Sequence, residues 1–214
     1  SKESFRYLWN YGNKMIGASL IDTLYNNVAP IIVGKFYSPK DLGLYNRANG
    51  YAVLPNNQLT GVLLSVTFPV LSKMQNDVEL LRQNVRRMIR VSAFISFPIY
   101  VILCALAKPL VIILISDRWE PCIKLLQILC FAIMWWPIHT INRNLIQVVG
   151  RSDLYLKVEI AKKFFNLLVI ACALSFGIEA FCYSQVFLSV VTLSFNTHYT
   201  KKLINFSLLQ QLKD

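Results

Sequence analysis

Ser19, Asp22, Thr23, Asn26 and Asn27 are spaced i, i+3, i+4, i+7 and i+8, the repeat of one helical face. The other face offers the apolar Leu20, Leu24, Val28, Ile31 and Ile32. Three further rows have the same character. Asn46, Asn49, Asn57 and Thr60 form one, with Arg47 beside them. His139, Arg143 and Gln147 recur at i, i+4 and i+8, and Gln185, Ser189, Thr192 and Asn196 at i, i+4, i+7 and i+11. Carboxamides exchange hydrogen bonds with hydroxyl groups, and the guanidinium fork matches phosphate oxygens. The set suits a carbohydrate carrying phosphate.

Each row also has a plainer reading, as contact between packed helices. Such polar contacts contribute about 0.6 kcal/mol apiece in membranes, and a single Asn, Ser or Thr is explained that way. Charged groups are harder to explain so, because one near a bilayer centre costs at least about 2.5–3.5 kcal/mol. Asp22 and Arg47 are the first candidates for a wet interior site, and Arg143 the next. Trp135 and Trp136 read first as packing, with stacking on a sugar ring as the alternative. His139 reads first as a helix contact, with a proton relay as the alternative. No glycine-rich phosphate loop, HExxH, GxSxG or paired carboxylates appear, so no enzyme is expected. The five cysteines form no CxxC or Cys/His cluster, so neither a metal nor a disulfide is expected, and no cofactor.

The elements that must position these rows are membrane helices. Hydrophobic residues make up 55% of the 214, charged residues 15%, and the mean hydropathy is +0.47, too apolar for an ordinary soluble surface. From Val91 to Ser116, 26 residues include Lys108 as the one charge, and roughly 20 apolar residues suffice to cross a bilayer. The apolar runs predict an all-α, polytopic bundle of six spans in one domain, at about 10–34, 42–71, 88–115, 121–148, 154–176 and 179–200. The third and fifth are plain; the others carry the polar rows. Asp41 is expected to cap the second helix, and Gly177 to close a hairpin. Pro30, Pro55, Pro69, Pro98 and Pro137 fall inside spans and predict kinks.

The net charge is +11. Topology accounts for it better than nucleic acid, which is not expected as a partner. Positions 1–14, 73–90, 143–163 and 201–214 hold sixteen basic residues and the alternate connections hold six, which places both ends in the cytoplasm.

Four motifs then stand in order: Asp41–Ala48 (DLGLYNRA), Val66–Lys73 (VTFPVLSK), Ala107–Leu110 (AKPL) and Val149–Leu154 (VGRSDL). They resemble the polysaccharide-transporter branch of the multidrug/oligosaccharidyl-lipid/polysaccharide exporter superfamily, and within it bacterial lipopolysaccharide flippases of the Wzx type. The resemblance runs from about Asn10 to Lys202. It implies two six-helix lobes around a central cavity, of which this chain looks like the second, the N-terminal lobe being absent. It implies alternating access in the bacterial inner membrane, moving a polyprenyl-diphosphate-linked oligosaccharide for lipopolysaccharide or exopolysaccharide synthesis. A half-transporter of this kind is expected to be inactive alone. Membrane lipids, the missing lobe and polysaccharide polymerase or chain-length proteins are the partners the resemblance implies. Under it, Arg47 and Arg143 attract diphosphate, and Asn46, Asn49, Asn26 and Asn27 contact sugar hydroxyls. Asp22 pairs with an arginine or couples a cation. The alternatives are a cation-coupled small-molecule antiporter of the same superfamily and a non-transporting scaffold for polysaccharide assembly.

Overall fold

The computed structural model describes residues 30–213, Ser152 and Asp153 through their backbone alone, and before them Trp9, Gly12, Asn13, Ile16, Gly17, Ser19, Leu20 and Thr23. Helical residues 30–36 (α1) precede α2 (Pro39–Lys73), α3 (Val78–Ala105), α4 (Ala107–Ile115), α5 (Cys122–Ile133), α6 (Trp136–Val148), α7 (Ser152–Ala173), α8 (Ile178–Ile204) and α9 (Leu208–Lys213). No strand occurs among the described residues. The protein is an all-α membrane protein.

The start of α2 shows how the local sequence sets an element. Ser38, not Asp41, is its N-cap. The Ser38 hydroxyl accepts from the Asp41 N–H at 3.1 Å, and the Asp41 carboxylate accepts from the Ser38 N–H at 3.3 Å. That reciprocal pair is a capping box. It moves the helix start back because Pro39, with no N–H to lose, suits the first helical position. One residue earlier, the Tyr37 hydroxyl donates to the carbonyls of Leu174 and Gly177 at 3.0 and 3.2 Å. Burial, with Cys182 and Asp41 nearby, raises the pKa of this phenol, so it stays a donor. The bond ties the start of α2 to the α7–α8 hairpin. Gly177 turns that hairpin at φ 91°, a backbone region that disfavours residues with a Cβ.

Two prolines break helices and three do not. The expected third span ends as a helix at Ala105, and the fourth is interrupted after Ile133. Each break lies four residues before a proline, Pro109 and Pro137. Proline removes the N–H owed to that carbonyl, and its ring crowds it. Beside the second break, neighbouring hydroxyls reach the carbonyls. Ser189 donates to Ala132 at 2.7 Å and Ser96 to Met134 at 2.9 Å, as intramembrane backbone requires. Pro55, Pro69 and Pro98 lie inside unbroken helices, so their mark is not a break.

Three stretches among the described residues are long and apolar enough to cross a bilayer: Val78–Ala105, Cys122–Val148 and Ile178–Ile204. The expected spans 42–71 and 154–176 correspond to α2 and α7, which are long helices outside that group of three. Outward from the bundle, Phe94, Ile113 and Phe176 are each 79% exposed, a surface that lipid, not water, suits. Inward, Tyr45, Leu126, Leu129 and Phe181 centre one buried cluster, and Leu71, Leu81, Ile141 and Leu145 another. The chain end is drawn in as well. Gln211 of α9 and Asn142 of α6 exchange amide hydrogen bonds at 3.1 and 3.2 Å, and Thr200 donates to Asn142 at 2.7 Å.

Candidate functional site

Helices α2, α5, α6, α7 and α8 line a partly open cavity of about 510 Å³. The polar row of the expected sixth span lines it in full, with Gln185, Ser189, Thr192 and Asn196 all facing inward from α8. From α6 come Trp136, His139, Thr140 and Arg143, and from α2 Tyr45, Asn49, Asn56 and Thr60. Thr60 donates to the Asn56 carboxamide oxygen at 3.1 Å. Asn56 is buried and the neighbouring Asn57 exposed, so the expected row on α2 turns inward one residue earlier than Asn57.

Helix α7, expected to be plain, supplies most of the charge. Glu159, Lys162, Lys163 and Asn166 line the cavity at i, i+3, i+4 and i+7, one helical face. Glu159 and Lys162 are 1% and 4% exposed and form an ion pair. The Lys162 ammonium also donates to the Asn196 carboxamide oxygen at 3.2 Å. An ammonium can only donate, so the oxygen of Asn196 must face it. The Asn196 NH₂ then points to His139 Nδ1 at 3.4 Å. His139 Nδ1 is therefore the acceptor and Nε2 carries the hydrogen. His139 Nε2, Gln185 Nε2 and Asn166 Oδ1 are buried without a well-formed hydrogen bond among the described residues. Buried polar atoms are ordinarily paired, so these three offer two donors and one acceptor to a guest.

Among the described cavity-lining residues the charged ones are Arg143, Lys162, Lys163 and Glu159. The chamber's amides and hydroxyls match an oxygen-rich guest. No group of His, Cys, Asp and Glu fit to hold a metal is present among the described residues.

Of the residues singled out in the sequence, Asn49 and Arg143 line the cavity. Asn46 and Arg47 are exposed and lie outside its lining. The Arg47 guanidinium instead stacks over Trp119, 5.4 Å from the ring centroid. Asp22, Asn26 and Asn27 lie outside the described residues. Trp135 packs edge-on against Phe97, centroids 5.0 Å apart, while Trp136 borders the cavity. Sequence reading missed Glu159, Lys162, Lys163, Asn166 and Asn56. The signal for the α7 group was its spacing, hidden because the lysines were counted as a basic connection. Three of the sixteen residues in that count, Arg143, Lys162 and Lys163, sit in the cavity wall, so they report on the interior and not on a loop.

Comparison with known proteins places this architecture. Residues 1–124, more than half of the chain, match the family model described as polysaccharide biosynthesis protein. The chain belongs to that family. Among curated proteins it is similar to the lipopolysaccharide biosynthesis protein WzxC of Escherichia coli, 27% identical over 72% of this chain and 31% of that one. An uncharacterized membrane protein in the cps region of Klebsiella pneumoniae is 32% identical over 53% of this chain and 24% of its own length. The teichuronic acid biosynthesis protein TuaB of Bacillus subtilis is 22% identical over 68% and 30%. The chain spans less than a third of the length of these relatives. No solved structure matches. Within this polysaccharide biosynthesis protein, the family match ends at residue 124, before the cavity's charged residues Arg143, Glu159, Lys162 and Lys163.

Proposed function

We propose that this chain is the second lobe of a transporter that flips a lipid-diphosphate-linked oligosaccharide across the bacterial inner membrane by alternating access. On this reading both ends face the cytoplasm, and the N-terminal lobe closes the other side of the cavity. The observation that carries it is the chamber itself, about 510 Å³, with Arg143, Lys162, Lys163 and Glu159 as the charged groups among its described lining residues and walls of amide and hydroxyl groups. The family match and the names of the relatives, lipopolysaccharide and teichuronic acid biosynthesis among them, support a polysaccharide cargo. Arg143 and Lys163 attract the diphosphate, and Asn49, Gln185, Asn166 and His139 meet sugar hydroxyls. Transport and not catalysis is the activity, with lipids and polysaccharide-assembly proteins as partners.

The test is Arg143→Ala in the full-length natural protein. Losing a charge-assisted hydrogen bond of about 1.5–3 kcal/mol lowers binding roughly ten- to a hundredfold. Surface polysaccharide should fall at unchanged protein level. Wild-type output from the variant would remove Arg143 from the cargo path.

A further inference from the structure

We propose that the end of the cavity nearest the α7–α8 hairpin is a site for an acetamido sugar. The carboxamides of Asn166 and Gln185 pair with the acetamido group, Leu129 and Leu188 receive its methyl, and Asn49 meets the sugar ring. This rests on the cavity being the cargo path and adds to that reading the kind of sugar the path selects.

Contacts along the helices fix the level of each lining residue. Glu179, just past the Gly177 turn, pairs with Lys124 near the start of α5, and Tyr45 of α2 meets Phe181 of α8 edge-on, centroids 5.4 Å apart. Helices α2, α5 and α8 therefore run away from the hairpin together, while α7 runs toward it. Asn49 stands one turn past Tyr45 and Gln185 one turn past Phe181, so these two amides share a level. By helical rise Gln185 is about 12 Å from the hairpin turn and Asn166 about 16 Å. Leu188 lies between Gln185 and Ser189, and the Ser189 hydroxyl donates to Ala132 at 2.7 Å, which sets Leu129 of α5 beside them. The charged lining is farther off. Lys163, Lys162 and Glu159 all precede Asn166 on α7. Arg143 lies one turn past His139, which meets Asn196 at 3.4 Å, at the deep end of α8. Among the described residues, the hairpin end of the lining is thus uncharged, and the charged groups gather at the other end.

The chemistry of that end is amide beside hydrocarbon. Gln185 Nε2 and Asn166 Oδ1 are buried without a well-formed hydrogen bond among the described residues. They offer one donor and one acceptor from adjacent helices. A secondary amide carries the complement, a carbonyl to accept from Gln185 and an N–H to donate to Asn166. Each carboxamide turns about a terminal torsion that is broad, so a guest can draw both out of the wall. Leu129 and Leu188 are 2% and 3% exposed and line the cavity at the same level. An acetyl methyl laid against them leaves water, which favours binding. A plain hexose offers one hydroxyl in place of the C=O, the N–H and the methyl, so it makes fewer of these contacts. Asn49, across the chamber on α2, keeps both a donor and an acceptor for ring hydroxyls.

The experiment measures binding of two probes to the purified full-length natural protein in detergent: farnesyl-diphosphoryl-N-acetylglucosamine and farnesyl-diphosphoryl-glucose. Wild type should bind the acetamido probe about tenfold more tightly, the scale set by one added hydrogen bond and one buried methyl. Gln185→Met and Asn166→Leu, which keep the side chain's size and remove its amide, should each reduce that ratio to about threefold or less. Arg143→Ala, at the other end of the chamber, should weaken both probes alike and keep the ratio. Equal affinity of wild type for the two probes overturns the acetamido site and leaves the cargo path standing, and this arm needs no variant. A full preference in both amide variants overturns the roles of Asn166 and Gln185. A ratio changed by Arg143→Ala overturns the separation of the two ends. Binding of neither probe by wild type overturns the site and the cargo path together.

Discussion

Arg47 and Lys162 are both basic residues in long helices, and their surroundings are opposite. Arg47 is exposed and lies over the face of Trp119. Lys162 is 4% exposed, paired with Glu159, and bonded to Asn196 at a cavity wall. From sequence Arg47 looked the more significant, because it stands among amides in a recognisable motif. Lys162 looked like a connection residue because it falls within positions 143–163, counted among the basic connections. A basic residue in a membrane helix is thus no marker of an interior site by itself. What its neighbours do with the charge decides.

That contrast can be broken in several ways. The largest effect is expected from Lys162→Met alone, which leaves Glu159 buried without its counter-charge. Breaking a buried pair by removing one partner costs about 3–5 kcal/mol, so the thermal midpoint in detergent should drop well below that of the double variant Glu159→Gln/Lys162→Met. Similar midpoints for the two would mean that water reaches Glu159 freely. Next comes Asn196→Ala, which strips the amide from between Lys162 and His139. Leaving buried polar groups unpaired costs about 1–3 kcal/mol each, and denaturant unfolding should show a loss in that range. The smallest effect is expected from Arg47→Ala. An exposed cation–aromatic contact contributes about 0.5–1 kcal/mol, so stability should shift by no more than that. Surface polysaccharide should stay within twofold of wild type. A loss as large as that of Arg143→Ala would return Arg47 to the cargo path and erase the contrast.

How legible the molecule was depended on how local the physics is. The row Gln185, Ser189, Thr192 and Asn196 was readable because helical spacing alone puts four polar residues on one side. Asn56 was missed and Asn57 chosen, because one position around a helix is 100°, and only packing against α5 and α6 tells which side is inward. The α7 residues were missed for a different reason. Charge-counting rules treat lysines near an apolar run as flanking residues, and such a rule cannot see Glu159 three positions before Lys162. The cap at Ser38 was displaced by the conformational preference of Pro39, and the broken helices by prolines whose effect reaches back four residues.

Composition and apolar run length determined by themselves that this chain is helical and lives in a bilayer, because a backbone in hydrocarbon has to satisfy its own hydrogen bonds. The motifs along the chain pointed to its family. Tertiary structure alone decided which charges share a chamber. Electrostatic partnership depends on distances between α6, α7 and α8, and residues such as His139, Lys162 and Asn196 become neighbours only when those helices pack.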